Sequence, residues 1–396
     1  MHMPNPLSLD HQASAEGRRV IGLLVVAGFF LSFGFNSWSA LFNNFAVEML
    51  SLDAQQVGWI QSLREIPGLL GFVLAWIVIV MPEMRLTGLC VVLMGAGLLL
   101  TAGSRGFGEL LLGTMVMSIG FHFFDSTNAS LVLTYASKES APRVLGVLGA
   151  IGAATAVAGT LAIVALARPL GYRTLIYLLG GLTLAGGMIV LILGRQGATE
   201  KLRRRIVFRR RYWLYYLLTF LFGSRRHIFT TFATFLMVKI HHMPVQQMAI
   251  LFLVNSLATT LCYGEIGRLT ARLGERAVLS ANFALLVAIF VGYAYITWLP
   301  LLLVFFVVDN VLFGTYLALN TYFQKIAQST EEITANISVG QTINHLSAVF
   351  VPVLGGRLWE LYGYQATFLA GALIALLGLL LTPWLRAARP QPVLEG

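Results

Sequence analysis

Charge is scarce in this chain. Only 11% of its 396 residues are Asp, Glu, Lys or Arg, against about 25% in a soluble domain. So few charges cannot cover a globule with water-facing side chains, which excludes an ordinary soluble fold. Cysteine is almost absent. Cys90 and Cys262 are the only two, both within apolar runs and without CxxC or metal-ligand spacing. A disulfide framework is excluded, and each reads as a small core residue. Residues 1–18 lack the apolar core of a signal peptide and read as a cytoplasmic tail. There is no HExxH, no GxSxG and no loop pairing of cysteine with histidine, so neither an enzyme nor a cofactor is expected. What the chain does have is apolar sequence. It is 57% hydrophobic, in runs of 20 residues or more. That length suits membrane-spanning helices, whereas barrel strands alternate over about 10 residues.

Base is concentrated in one place. Residues 195–211 hold Arg195, Lys201, Arg203, Arg204, Arg205, Arg209, Arg210 and Arg211, with Glu200 as the one acid. Cations resist translocation, so this stretch should stay cytoplasmic and orient both flanks. A solvated basic loop or a nucleic-acid patch is the competing reading of such a run; the flanking apolar runs favour the membrane reading over both. Runs bounded by Gly, Pro and charge give twelve spans, at about 20–47, 56–81, 84–103, 108–136, 142–167, 173–194, 212–239, 246–267, 277–297, 300–325, 333–357 and 365–385. This layout puts both termini on the cytoplasmic side. It leaves 19 of the 27 Lys and Arg residues there, 5 outside and 3 within spans. The domains are then a tail at 1–18, a six-helix bundle at 19–194, a basic linker at 195–211, a second six-helix bundle at 212–386 and a tail at 387–396.

The two bundles share landmarks. Gly171-Tyr172 matches Gly363-Tyr364 and Asn128 matches Asn320, both at an offset of 192. Gln55-Gln56 matches Gln246-Gln247 at 191, and Phe42 and Phe45 match Phe232 and Phe235 at 190. A near-constant offset indicates an internal duplication, the construction of secondary transporters whose sites lie near the bilayer midplane.

Twelve spans, a basic central loop and a duplicated half together resemble the major facilitator superfamily over essentially the whole chain. The stretch Gly267-Arg268-Leu269-Thr270-Ala271-Arg272-Leu273-Gly274-Glu275-Arg276 is similar to that family's loop signature G-x-x-x-D-R-x-G-R-R. It keeps Gly267, Arg272, Gly274 and Arg276, but Ala271 replaces the acid and Glu275 a base. The resemblance implies a conformational latch at these residues. The Gly-Pro pair of the family's drug/proton antiporters is missing from span five, so antiport is not indicated. Pro352-Val353-Leu354-Gly355-Gly356 in span eleven resembles the end of that motif.

Polar residues inside the spans are the best guide to function, because a charge at mid-bilayer costs at least about 2.5–3.5 kcal/mol. Span seven carries Arg225, Arg226 and His227, about 20 Å from its start. Thr219, Gly223, Arg226 and Thr230 fall on one helical stripe. The guanidiniums either bind an anionic or carbonyl-bearing solute or tie to buried acids. Span four offers His122 and Asp125 at i, i+3. They serve as a proton site, or Asp125 pairs with Arg225 or Arg226. Span two offers Glu65, a second proton carrier, and Pro67 should kink the helix beside it. Its neighbour Arg64 points about 100° away in a regular helix and need not pair with it. Span ten carries Asp309, Tyr316 and Asn320, and span eleven Gln341 and His345. Span one adds Asn36.

The expectation is an all-α secondary transporter for a small polar or amphipathic organic solute, an anion among the candidates, driven by protons. It should sit as a multi-pass monomer in a bacterial inner membrane. Substrate contacts are expected from Arg225, Arg226, Asn36, Asn128, Asn320, Gln341 and His345. Proton coupling is expected from Asp125, His122, Glu65, Asp309 and His227. Two alternatives stay open. Met237 and His241 at i, i+4 could pass a soft metal, or the chain could be a membrane sensor or scaffold that transports nothing.

Overall fold

The computed structural model describes residues 15–136, 140–194 and 208–385, and every regular element in them is helical. Expectations placed on the first fourteen residues, on Lys138, on Arg195, Lys201, Arg203, Arg204 and Arg205, and on the tail from Arg386 lie outside the described residues. All twelve expected spans have helical counterparts. Eight segments among the described residues are long and apolar enough to cross a membrane. One of them, Val144–Leu193, covers the fifth and sixth spans together. Spans two, seven and eleven are not among the eight; they are broken or carry the polar side chains singled out above.

The chain divides into two compact units. The first comprises Met1–Gln56, Ile60–Leu202 and His242–Leu253. It contains α1 (Ala15–Asn44), most of α2 (Ala54–Leu63), α3 (Ile66–Leu69), α4 (Leu74–Val80), α5 (Glu83–Gly103), α6 (Phe107–Tyr135) and α7 (Ala141–Leu193). The start of α2 is set by a capping box. Asp53 accepts from the Gln56 amide at 2.7 Å, and Gln56 Oε1 accepts from the Asp53 amide at 3.1 Å. Inside α7, Gly171 has φ of 72° and ψ of 165°, a left-handed conformation that divides two consecutive spans. Glycine also permits the tightest crossing. A Cβ on Gly88 or Gly95 of α5 would collide with the backbone of Leu191 or Leu184 in α7, so the two helices meet main chain to main chain.

The second unit comprises Val57–Trp59, Arg203–His241 and Val254–Gly396. It holds α8 (Trp213–Ile228), α9 (Thr234–Lys239), the larger part of α10 (Val245–Leu273), α11 (Glu275–Tyr295), α12 (Leu299–Leu312), α13 (Tyr316–Ile326), α14 (Thr330–Tyr362) and α15 (Tyr364–Leu381). Here α11 packs on α15 and α8 packs on α14. Gly363, with φ of 83°, turns the chain between α14 and α15, in the place that Gly171 takes in the first unit. Between α8 and α9 the helix widens into a π turn at Phe229–Ala233. Such insertions are frequent at functional sites.

Candidate functional site

In the second unit the chemistry centres on span seven. Arg225 Nη1 donates to Asp309 Oδ1 of α12 at 2.7 Å, and neither side chain is exposed. The guanidinium lies between two rings, 4.3 Å from the centroid of Phe313 and 4.7 Å from that of Phe222. Arg225 Nε and Nη2, Asp309 Oδ2 and the Tyr293 hydroxyl are buried with no hydrogen-bond partner among the described residues. A charge pair in a low-dielectric interior needs its remaining donors and acceptors met, and here several are unspent. Arg226, one residue on, is exposed and sits 5.6 Å from the Phe313 ring. His227 is half-buried. The Arg225 acid is therefore Asp309, not Asp125, which corrects that expectation.

Burial changes along two of the expected polar series. Thr219 and Gly223 are buried, whereas Arg226 and Thr230 are exposed. Arg226 is turned away from the face that buries Arg225, and Thr230 lies within the π turn, where 3.6-residue spacing no longer holds. A 3-10 turn at Phe313–Thr315 separates Asp309 from Tyr316 and Asn320 in the same way. Asp309 is fully buried while the other two are half-buried.

In the first unit span two breaks where its charges stand. α2 ends at Leu63 and α3 begins at Ile66, with Pro67 in its first turn. The break turns Arg64 toward Glu65. Nη2 of Arg64 lies 3.3 Å from Glu65 Oε1, although the two would diverge on a regular helix. His122 of α6 adds its Nε2 at 3.7 Å from Glu65 Oε2, so His122 and Glu65 share one site. Ser118, also on α6, donates its hydroxyl to the Arg64 carbonyl freed by the break. The sequence places Arg64 beside Glu65 in span two but assigns it no role. The aromatic residues around it, Phe35, Trp38 and Phe121, gave no signal against an apolar background.

The other expected residues are placed as follows. Asp125 is exposed. Asn36 donates to the Gly152 carbonyl and the Thr155 hydroxyl, both at 3.2 Å, which ties α1 to α7. Asn128 is half-buried, with its side-chain oxygen unpartnered. On α14, Gln341 is exposed and His345 half-buried. Met237 is fully buried, and His241 is half-buried. In the loop resembling the family signature, Gly274 adopts φ of 81° between α10 and α11. Gly267 faces Leu317, and Arg272 and Arg276 are exposed. Glu275, the departure from the pattern, pairs with Lys325 at 2.5 Å.

One further cluster gathers at the start of α14 in the second unit. Glu332, in the first turn of α14 behind the Ser329 cap, receives Arg209 at 2.6 Å, the Tyr212 hydroxyl and the Gln328 amide at 3.2 Å. The hydrogen bond from Tyr212, helped by Arg209 and Arg211, holds the Glu332 carboxyl below its usual range.

Comparison with solved structures finds the same fold at low sequence identity. The nucleoside transporter NupG aligns with a TM-score of 0.74 at 14% identity, covering 92% of this chain and 98% of that one. A bacterial homologue of the human lysosomal transporter Spinster, in an inward-facing and occupied conformation, gives 0.74 at 13% identity, with 94% and 98% covered. The human organic anion transporter MFSD10 (TETRAN) gives 0.55 at 16% identity, with 93% and 100% covered. Compared by sequence with curated proteins, the chain has no match. The family model for the Major Facilitator Superfamily matches residues 24–335. With its helical, multi-pass architecture and charges buried inside its spans, the chain belongs to the Major Facilitator Superfamily.

Proposed function

We propose that this protein is a proton-coupled secondary transporter for a small polar or amphipathic organic solute with an acceptor or anionic group. It works by alternating access in a bacterial inner membrane, with both termini cytoplasmic. The observation that carries this reading is the Arg225–Asp309 pair, fully buried within spans seven and ten with donors and an acceptor left unspent. A scaffold has no use for such a pair, since an apolar pair of similar volume would be at least as stable. A transporter does, because protonating the acid frees the guanidinium for a solute. In the first unit Glu65 and His122 supply a carboxylate–imidazole contact inside the spans. The nucleoside and organic anion transporters of the same fold are consistent with a solute of this type.

In this reading Arg225, Arg226, Asn128, Asn320, Gln341 and His345 serve solute, and Asp309, Glu65, His122, Asp125 and His227 serve protons. The Asn36 amide is already engaged, so its part is to hold α1 on α7. The test uses purified protein in liposomes loaded with a pH-sensitive dye and exposed to a panel of organic solutes. At least one solute should move protons in the wild type and none should do so in Asp309→Asn. A wild type that moves no protons with any solute would overturn the proposal.

A further inference from the structure

The group around Arg64 in the first unit has a composition that the buried pair of the second unit lacks. The Arg64 guanidinium lies 4.9 Å from the Trp38 ring centroid and 6.0 Å from that of Phe35. Phe35 in turn stacks on Phe121 of α6, with centroids 4.2 Å apart and planes 16° from parallel. Both phenylalanines are half-buried, and the Arg64 side chain keeps 17% exposure. Arg64 and the two phenylalanines therefore keep some exposed surface, and Phe35 also stacks on Trp38 with centroids 6.1 Å apart.

Its donors are not all used. Arg64 Nη2 is committed to Glu65. Arg64 Nε is buried with no partner among the described residues, and so is the indole Nε1 of Trp38, a residue only 4% exposed. A buried N–H without an acceptor loses its hydration and gains nothing in return. Here two such donors sit on neighbouring planar groups, one of them cationic. The ligand that satisfies both is a carboxylate, whose oxygens accept from a guanidinium edge and a neighbouring N–H together. The wall of rings selects what the carboxylate is attached to, because aromatic faces pack on one another in offset-stacked or edge-on pairs. The break in span two presents the group, as interrupted helices do in other repeat transporters.

We infer that Arg64, Trp38, Phe35 and Phe121 form a binding station for an aromatic carboxylate. The inference rests on the transporter reading for its purpose and names the solute class that reading leaves open. Trp38 and Phe35 act as the ring wall, Arg64 and the Trp38 N–H as the carboxylate contact.

The probes are labelled benzoate and cyclohexanecarboxylate, which match in charge and size and differ in flatness. Binding to the purified full-length protein is measured by equilibrium dialysis. Wild type should hold benzoate about tenfold more tightly than cyclohexanecarboxylate, the upper end of what an aromatic pair contributes. Arg64→Gln should weaken both at least about tenfold, with Arg64→Lys intermediate because an ammonium lacks the planar fork. Trp38→Leu should erase the preference for the flat ring, and Trp38→Phe should retain it. Each variant is read only after its thermal unfolding matches wild type, and Phe35→Leu replaces Trp38→Leu if the latter does not fold. Failure of folded wild type to bind benzoate overturns the inference, as does a ring preference that survives Trp38→Leu. If benzoate fails to bind while another solute drives protons, the station falls and the transporter stands. If benzoate binds with the expected preference while no solute moves protons, the transporter falls and the station stands.

Discussion

Arg225 and Asp309 meet through a single 2.7 Å hydrogen bond in a place where neither has any exposed surface. Removing one partner of such a pair leaves an uncompensated charge, which costs about 3–5 kcal/mol, whereas replacing both by apolar residues is often neutral. We expect Asp309→Ala to lower the unfolding temperature sharply in detergent. The double variant Arg225→Met, Asp309→Leu should recover most of the loss and still move no protons. A double variant that still moved them would remove the pair from the mechanism.

Asp125 offers the opposite test. It is exposed and makes no hydrogen bond or ion pair among the described residues, so folding does not depend on it. Asp125→Asn should leave stability within about 0.5 kcal/mol of wild type while reducing solute-driven proton movement at least about tenfold. Unchanged flux in the dye-loaded liposomes would show that Asp125 carries no proton.

Glu332 links stability to pH. Its carboxyl is held below the ordinary range, first by the hydrogen bond from Tyr212. A depressed folded-state value means that the stabilisation is complete above the unfolded carboxyl value, about 4.3, and is lost as pH falls through the lower folded value. Glu332→Gln should therefore melt below wild type at pH 7, and the gap should close on acidification below about pH 4. Melting curves at several pH values read this directly. A gap that widened toward acid pH would reverse the sign and refute the assignment.

The crossing of α5 and α7 makes a prediction about volume. A side chain at Gly95 meets the Leu184 backbone, which cannot step aside as a flexible side chain would. Gly95→Val should cost at least about 1–3 kcal/mol, as overpacking does. The same change at Gly149, where a Cβ would have nothing within 4 Å, should be far milder. Parallel denaturation of the two variants measures the contrast.

Much of this fold could be read in advance because hydrophobic length and cation placement are one-dimensional signals. The spans beginning near Glu83, Phe107 and Glu275 emerge within a residue or two of their expected edges. The Gly171–Gly363 correspondence likewise reappears as a pair of left-handed turns. Pairings were harder to read. A regular helix through residues 64 and 65 would hold Arg64 and Glu65 apart; the break that brings them together has no signature beyond Pro67. Arg225 had three possible acids, and composition could not choose among them. The π turn that holds Thr230 and the 3-10 turn before Tyr316 shift the helical phase, and neither leaves a mark in residue type. Trp38 was invisible for another reason: an indole in an apolar run looks like packing until its nitrogen is found without an acceptor.

The hydroxyl of Ser118 gives the broken second span a dependence far smaller than its charges suggest. A carbonyl released from its helix in hydrocarbon has no water to turn to, and Ser118 is the group that answers the one on Arg64. Losing that single oxygen atom, as in Ser118→Ala, would strand a dehydrated backbone dipole. The chain could then relieve the cost by straightening, which would swing the guanidinium off the indole. An uncharged side chain that would touch no solute is thus the keeper of the geometry on which recognition depends.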